Sequence, residues 1–427
     1  MLGQMRRKLL VLRWLYTGRT IGFHVEVKND NCWTDNRSQR YPSGYVPKGV
    51  ILLQLVLAPL VALFTVLILT PRVRRLAFRV GALDNPDHRK VHQGVMPRLG
   101  GLAIYASFVL AVLLSEHMTW QLWGLLAGAT VVVAVGILDD IYRLPPRIKL
   151  AGQVLAAVVV IFFGIKMTFV GNPFAPGVVI PLGVLSAPLT VIWVVVVTNA
   201  VNLIDGLDGL ASGTSFISAL TMAAVVALEG HRAPLSANLV VVSLALTIAA
   251  ATLGFLKYNF HPARIFLGDG GSMLLGFLLA SVAVMGLAKS ATLVSVVIPP
   301  MILGVPLLDT VLAIIRRYRR RLPIMQPDRE HMHHRLLNLG LNHRQAVLAI
   351  YGVDAVLGLC AVVLTMISPG SALILVEGLV LAVMVIANLP IITGERRLTS
   401  YVIPGVIVLL GVSIFLFSWI NLPAWSR

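Results

Sequence analysis

The chain has 427 residues, of which 57% are hydrophobic and only 12% are charged, and its 35 Lys and Arg against 18 Asp and Glu give a formal charge of +17. Soluble domains are about half apolar and a quarter charged, so this composition excludes an ordinary soluble protein. Only two cysteines are present, Cys32 in a polar segment and Cys360 in an apolar run, so neither a disulfide framework nor a cysteine metal site is predicted.

The first segment, residues 1–48, carries nine Lys and Arg and a polar middle without a core-forming pattern. Its start, Met5-Arg-Arg-Lys, resembles the basic region of a signal peptide, but the apolar stretch that follows is too short and broken. We expect no fold here, only a disordered N-terminal extension or a start codon assigned too far upstream.

Residues 49–421 form one predicted membrane domain, because apolar runs of about 20 residues are the length that crosses a bilayer as a helix. We predict an all-α polytopic protein of about eleven to twelve transmembrane helices, the second of them short. The runs are 50–70, 100–115, 121–138, 150–167, 186–201, 210–228, 236–256, 271–288, 291–315, 345–367, 371–391 and 402–420.

Loop charges predict the orientation. One set of loops carries 22 Lys and Arg, whereas the internal loops on the opposite side carry three, so the basic side is expected to be cytoplasmic. This bias and attraction to anionic lipids account for the net charge without nucleic acid. The basic loops are 71–99, 139–149, 257–264, 316–344 and 394–399; active-site loops are expected near 71–99, 139–149, 202–209, 257–270 and 316–344.

Acidic motifs lie where several of these runs meet the predicted cytoplasmic loops. Asp139-Asp140 ends the third run, where carboxylates oppose the helix dipole and repel each other unless a cation lies nearby. A solvated helix end is the structural alternative. Lys149 follows ten residues later and is either a phosphate ligand or a simple topology anchor.

The segment Asn199-Ala-Val-Asn202-Leu-Ile-Asp205-Gly-Leu-Asp208-Gly interleaves two amides with two Asp-Gly pairs. Asp-Gly pairs favour turns, so an ordinary loop is one interpretation. Oxygen ligands spaced by three residues lie on one side of a helical turn, and the glycines would let a ligand approach the backbone. We therefore favour a binding site.

A glycine-rich segment, Gly268-Asp269-Gly-Gly-Ser272, opens the run that starts near residue 271 and follows Asn259 closely. Free N–H groups and the positive end of the helix dipole would attract phosphate there, and Asp269 would hold its Mg²⁺. Asp269 as a plain helix cap is the alternative.

The longest internal polar segment contains three histidines, His331, His333 and His334, within a stretch of four residues. Without a cysteine or an acid at ligand spacing they make a weak zinc site. Beside Arg329 and Arg335 they suit binding of a diphosphate or protonation of a leaving group. A short helix is predicted from Asp328 to Gly340, and Asn342 with Gln345 predicts a capping box for the next span.

Over about residues 50–390 the chain resembles the polyprenyl-phosphate N-acetylhexosamine-1-phosphate transferase family, which includes the MraY and WecA/TagO enzymes. The resemblance is carried by the motifs above together with Asp84-Asn-Pro-Asp87-His-Arg89-Lys90-Val-His92 and Pro97-Arg-Leu-Gly100-Gly101. It implies transfer of a sugar 1-phosphate from a UDP-sugar to undecaprenyl phosphate, with release of UMP.

The resemblance also implies roles for residues. Asp139, Asp140 and Asp269 would be catalytic, the first two by handling the lipid phosphate or deprotonating it. Asp269 with Asn202 would bind Mg²⁺, with Mn²⁺ as an alternative. Contacts to nucleotide or diphosphate would come from Lys149, Asn199, Asp205, Asp208, Asn259, His331, His333 and His334, and contacts to the lipid phosphate from Arg89, Lys90 and His92.

The His-x-His-His order resembles the WecA/TagO branch, whereas MraY carries three adjacent histidines. The resemblance therefore implies UDP-N-acetylglucosamine as donor, with the MraY-type muramyl-pentapeptide donor as the alternative, in a bacterial plasma membrane, and a homodimer is an open expectation. The product would begin cell-wall, teichoic acid or surface-polysaccharide synthesis. A cation-coupled transporter is the rival of another class, but the spans lack the deep polar residues it would need.

Overall fold

A computed structural model describes residues 11–17, 20–26, 48–84, 95–171, 178–229, 235–286, 294–319, 321 and 331–366. The chain divides into two compact units, Met1–Tyr45 and Val46–Arg427. In the first, strand β1 (Val11–Thr17) pairs antiparallel with β2 (Thr20–Glu26), and Trp14 lies opposite Phe23. The structure therefore has a hairpin in a segment for which we expected no fold. The two strands contain residues of high β-propensity.

The second unit is helical, as predicted. Its helices are α1 Lys48–Val80, α2 Gly100–Ser115, α3 Trp120–Tyr142, α4 Pro146–Phe162, α5 Ser186–Ile204, α6 Leu210–Glu229, α7 Leu235–Asn259, α8 Gly268–Gly286, α9 Val294–Ile302, α10 Gly304–Arg319, α11 Met332–Asn338 and α12 His343–Met366, with a short 3-10 turn at Gly183–Leu185. Two small antiparallel ribbons pair β3 (Leu83–Asp84) with β4 (Met96–Pro97) and β5 (Phe169–Gly171) with β6 (Val179–Pro181).

Seven of the described helices, namely α1, α3, α5, α6, α7, α8 and α12, contain stretches long and apolar enough to cross a membrane, and α2 is a shorter apolar helix with the predicted bounds. The all-α polytopic architecture is thereby confirmed. The predicted runs 371–391 and 402–420 lie outside the described residues.

Helix α8 is the centre of the bundle. Buried residues make up 94% of its most apolar stretch, against 28% for α1, and it packs against α2, α3, α5, α6 and α7. Glycines allow the backbones to approach: a Cβ on Gly101 would lie 2.2 Å from the Cα of Gly271, and one on Gly136 would lie 2.2 Å from the Cα of Gly270. Small residues at crossings are the usual solution to close helix packing in membranes.

The predicted run 291–315 is divided into α9 and α10. Pro299 and Pro300 lie within α9, and Gly304 and Pro306 begin α10. Prolines remove backbone donors, so the freed groups need other partners in an apolar environment. The Ser218 hydroxyl supplies one, donating to the carbonyl of Ile302 at 2.7 Å.

Two further boundaries depart from the predictions. Asp139 and Asp140 lie in the last turn of α3 and not in a loop, because α3 continues to Tyr142 and the break comes only before Pro145. The loop helix α11 begins at Met332, while the predicted cap Asp328 lies outside the described part of the chain.

The predicted capping box of α12 is confirmed. The Gln345 side chain accepts from the Asn342 N–H at 2.9 Å, and the Asn342 side chain accepts from the Gln345 N–H at 2.9 Å.

Candidate active site

Side chains from helix ends meet on one side of the bundle. The C-terminal ends of α3, α5 and α7 and the N-terminal ends of α4, α8 and α12 contribute to two hydrogen-bonded clusters. These contacts bring together residues of the Asp139-Asp140, Asn202 to Asp208 and Gly268-Asp269 motifs.

The first cluster, which we call the lysine cluster, consists of Asp139, Asp140, Lys149, Asn202 and Asp269. The Nζ of Lys149 donates to Asp139 Oδ2 at 3.1 Å and to Asp269 Oδ2 at 2.8 Å. Two carboxylates that would otherwise repel each other share one ammonium group. The position between Asp139 and Asp269 is therefore one that favours positive charge.

Asp140 has a different environment from its neighbour. Its Oδ1 accepts the backbone N–H of Asp269 at 3.0 Å, and its Oδ2 accepts that of Gly270 at 3.3 Å. These are N–H groups of the first turn of α8, which have no partner within the helix. Asp140 is 5% exposed. It thus caps α8 and holds the backbone that carries Asp269.

Asn202 completes the lysine cluster. Its Nδ2 donates to Asp269 Oδ1 at 3.1 Å and to Ser272 Oγ at 2.8 Å. Asn199, one turn earlier on α5, does not reach this carboxylate in the structure; its amide pairs with Gln153 on α4. Gln153, which the sequence reading passed over, therefore fixes the α4–α5 contact behind the site.

The lysine cluster contains side chains of the kind that bind a divalent cation. Asp139 and Asp269 bring two carboxylates together around one cation, and carboxylate oxygens are ligands that hard divalent cations take. The Lys149 ammonium between the two carboxylates demonstrates that both can face one cation. The residues present fit the ion.

The second cluster, which we call the histidine cluster, consists of Asp208, His261 and His343. His261 Nδ1 lies 2.9 Å from Asp208 Oδ2, which also accepts the Ala263 N–H at 3.0 Å. The Asp208 N–H donates to His343 Nε2 at 2.9 Å, and the two imidazoles stack with centroids 4.2 Å apart. One ligand atom from each residue lies within 4.8 Å of the others, so a metal ion could be held here too.

Neither histidine of this cluster was singled out from the sequence. His261 falls in the predicted 257–270 loop, and His343 follows the first residue of the capping box. The sequence signal that could have identified both histidines was their position near predicted helix ends. Together with Asp208 they join three segments that are distant in the chain.

Asn259 holds the loop between α7 and α8. Its Nδ2 donates to the Ile265 carbonyl at 3.0 Å, and its Oδ1 accepts from Ser212 Oγ at 2.8 Å. It is 3% exposed. The side chain thus sets the shape of the segment that leads to Asp269.

The three predicted histidines lie next to one another, with ring centroids 5.9 Å apart for His331 and His333 and 4.3 Å apart for His333 and His334, but their contacts differ. His331 Nδ1 lies 2.8 Å from Asp309 Oδ2, and the Met332 N–H donates to Asp309 Oδ1 at 2.9 Å. His333 is buried against Gly206, and this burial, with the nearby His334, lowers the pKa of His333 to about 3. Only His334 of the three lines the cavity that Asp208 and Asp269 border.

A cavity of about 270 Å³ is lined by Asp269 of the lysine cluster and by all three residues of the histidine cluster. Asp205 lies in the wall of this cavity. Burial and the negative charge of Asp269 raise the pKa of Asp205 to about 8, and the positive charge of Arg98 opposes this rise. The lining residues are Asp84, Arg98, Asp205, Gly206, Leu207, Asp208, Asn259, His261, Phe266, Leu267, Gly268, Asp269, His334 and His343. The predicted lipid-phosphate residues Arg89, Lys90 and His92 lie outside the described residues.

Comparison with known proteins matches residues 122–287 to the model of glycosyl transferase family 4. A probable undecaprenyl-phosphate N-acetylglucosaminyl 1-phosphate transferase of Bacillus subtilis is 44% identical over 81% of this chain and 94% of its own length. A decaprenyl-phosphate N-acetylglucosaminephosphotransferase of Mycolicibacterium smegmatis is 34% identical over 81% of this chain and 90% of its own length. The corresponding undecaprenyl-phosphate enzyme of Escherichia coli K12 is 30% identical over 67% of this chain and 77% of its own length.

Proposed function

Because the chain belongs to glycosyl transferase family 4 and to its polyprenyl-phosphate N-acetylglucosamine-1-phosphate transferases, we propose that it transfers N-acetylglucosamine 1-phosphate from UDP-N-acetylglucosamine to undecaprenyl phosphate. An oxygen of the lipid phosphate bonds to the phosphorus next to the sugar, and the bond from that phosphorus to UMP breaks. The products are a lipid diphosphate sugar and UMP.

One observation carries the proposal: the lysine cluster adjoins a cavity whose wall includes Asp269 itself. A lipid phosphate and a nucleotide diphosphate can meet at that carboxylate. Phosphoryl-type transfer depends on positioning and on neutralising charge, and a cluster built around Lys149 supplies both. A phosphate already ionised near neutral pH needs no strong base.

The residues divide the work. In this proposal Asp139, which contacts the shared ammonium, handles the lipid phosphate, whereas Asp140 positions Asp269 through the backbone of α8. Asn202 orients Asp269 from the other side. Asp205, Asp208, Asn259 and His334 form the donor cavity with Arg98, and Asn199, His331 and His333 support it from behind.

Asp269, Asn202, Asp139 and Ser272 would hold Mg²⁺, or Mn²⁺ in its place. The bound ion would neutralise phosphate charge during transfer. The lysine cluster would supply its ligands without rearrangement of α8, because Asp140 already fixes the first turn of that helix.

The enzyme would act in the bacterial plasma membrane with this site on the cytoplasmic face, and the excess of Lys and Arg in the loops on that side supports this orientation. Its product would enter cell-wall, teichoic acid or surface-polysaccharide synthesis, and its partners would be undecaprenyl phosphate, the UDP-sugar, membrane lipids and, in a homodimer, a second copy.

The test uses purified full-length protein in detergent with undecaprenyl phosphate and Mg²⁺. UMP release is followed with UDP-N-acetylglucosamine and, separately, with UDP-N-acetylmuramyl-pentapeptide. We expect lipid-dependent UMP only from the first donor, and a loss of about 10²–10³-fold in Asp269→Ala. Activity with only the second donor would assign the MraY reaction, and activity in Asp269→Ala equal to wild type would refute the proposed site.

A further inference from the structure

We propose that Arg98 binds the diphosphate of the donor nucleotide. This inference rests on the proposed function and adds a residue to which neither the family motifs above nor the relatives assign a role. Four carboxylates line the cavity, those of Asp84, Asp205, Asp208 and Asp269, and Arg98 is the one Lys or Arg among the described lining residues. An anionic ligand entering so acidic a cavity requires a positive group in its wall.

The backbone around Arg98 is fixed next to the loop that carries Asp269. The Arg98 N–H donates to the Ala82 carbonyl at 3.0 Å, and the neighbouring Pro97 carbonyl accepts the Phe266 N–H at 2.8 Å. The carbonyl of Arg98 packs on Gly268, which has φ +76°, and a Cβ on Gly268 would lie 2.4 Å from that oxygen. Arg98 therefore keeps a set distance from Asp269.

Asp84 contacts only one edge of the Arg98 guanidinium group. Arg98 Nη2 lies 3.5 Å from Asp84 Oδ1, with side chains that are 31% and 5% exposed respectively. Such a long contact engages one edge of a group that has five donors in a planar fork. The remaining edge can take two phosphate oxygens, which is the geometry in which arginine binds phosphate most strongly.

Phosphate could come from either substrate, the nucleotide or the lipid. We assign Arg98 to the nucleotide, because it lines the same cavity as Asp208 and His343 of the histidine cluster, whereas Lys149, which bridges Asp139 and Asp269, is not among the lining residues.

The experiment measures binding of UDP and of uridine to full-length protein in detergent at fixed Mg²⁺, together with KM for both substrates. Arg98→Gln should weaken UDP binding about tenfold or more, as expected for loss of a charged hydrogen bond, and leave uridine binding unchanged. KM should rise for UDP-N-acetylglucosamine and stay constant for undecaprenyl phosphate. Arg98→Lys, which keeps the charge but loses the fork, should fall between. The matched control is Arg79→Gln, at an exposed position in the last turn of α1.

Each other outcome overturns the assignment. Equal weakening of UDP and uridine would indicate a structural role, and a rise in KM for undecaprenyl phosphate alone would move Arg98 to the lipid phosphate. Unchanged UDP binding would refute the Arg98 proposal while leaving the proposed function intact. If wild-type protein bound no UDP, the donor assignment and the Arg98 proposal would fail together.

Discussion

The lysine cluster and the histidine cluster border the same cavity but are built on opposite principles. In the first, two carboxylates share an ammonium group, and the oxygens face a position for positive charge. In the second, Asp208 accepts from the Ala263 N–H, pairs with His261, and donates its own N–H to His343. The first concentrates charge around one ammonium group, and the second ties three segments of the chain together.

The same contrast appears within the Asp139-Asp140 pair. Adjacent residues on a helix point about 100° apart, so one carboxylate reaches Lys149 and the other reaches the first turn of α8. Two acids that look equivalent in the chain therefore have separate structural roles.

The largest effect is expected inside the lysine cluster. Asp139→Asn should lower kcat by about 10²–10³-fold, the size expected for loss of a charged group at a reacting centre, with an unchanged unfolding temperature. Asp140→Asn should lower both activity and the unfolding temperature, because its amide cannot accept both N–H groups of α8. UMP release and thermal unfolding in detergent measure the pair. Identical behaviour of the two variants would contradict the division of roles.

A smaller effect is expected in the histidine cluster. Asp208→Asn removes the charge that His261 faces and should raise KM for the UDP-sugar about tenfold with little change in kcat, because the cavity wall loosens while the lysine cluster persists. His343→Gln is the matched control, since a glutamine oxygen can still accept the Asp208 N–H. A fall in kcat with constant KM in Asp208→Asn would place Asp208 in the chemistry instead.

The smallest expected effect is the contribution of His333 to the pH dependence of the free energy of unfolding. The pKa of His333 is about 3 in the folded protein and about 6.5 in an unfolded chain. Between these pH values the unfolded state binds more protons than the folded state. The contribution of His333 to the free energy of unfolding is therefore fully present above pH 6.5 and is lost as the pH falls below it. Between pH 7.5 and 5.5 we expect His333 to account for a loss of about 1 kcal/mol in the free energy of unfolding.

Thermal or denaturant unfolding of wild type and His333→Asn at the two pH values measures this difference. The variant should lose less stability than wild type on acidification. An equal loss in both proteins would mean that His333 is not buried in its neutral form.

Much of the architecture follows from the sequence, because helix length, capping and the apolar character of spans are local properties. The bounds of α2 and the Asn342–Gln345 capping box were predictable for this reason. The break between α9 and α10 was missed, although Pro299 and Gly304 carry its signal, because an apolar run alone does not reveal an interruption.

The sequence by itself determined that this is a helical membrane protein of a sugar-phosphate transferase family, because composition and motifs are properties of the sequence alone. Only the tertiary structure gave Asp139 and Asp140 different partners, left His331 and His333 outside the cavity lining, and brought Arg98 and His343 into it. Some of these relations join residues 129 and 135 positions apart, and the direction of a side chain toward a distant partner is fixed by helix packing, which no local pattern encodes.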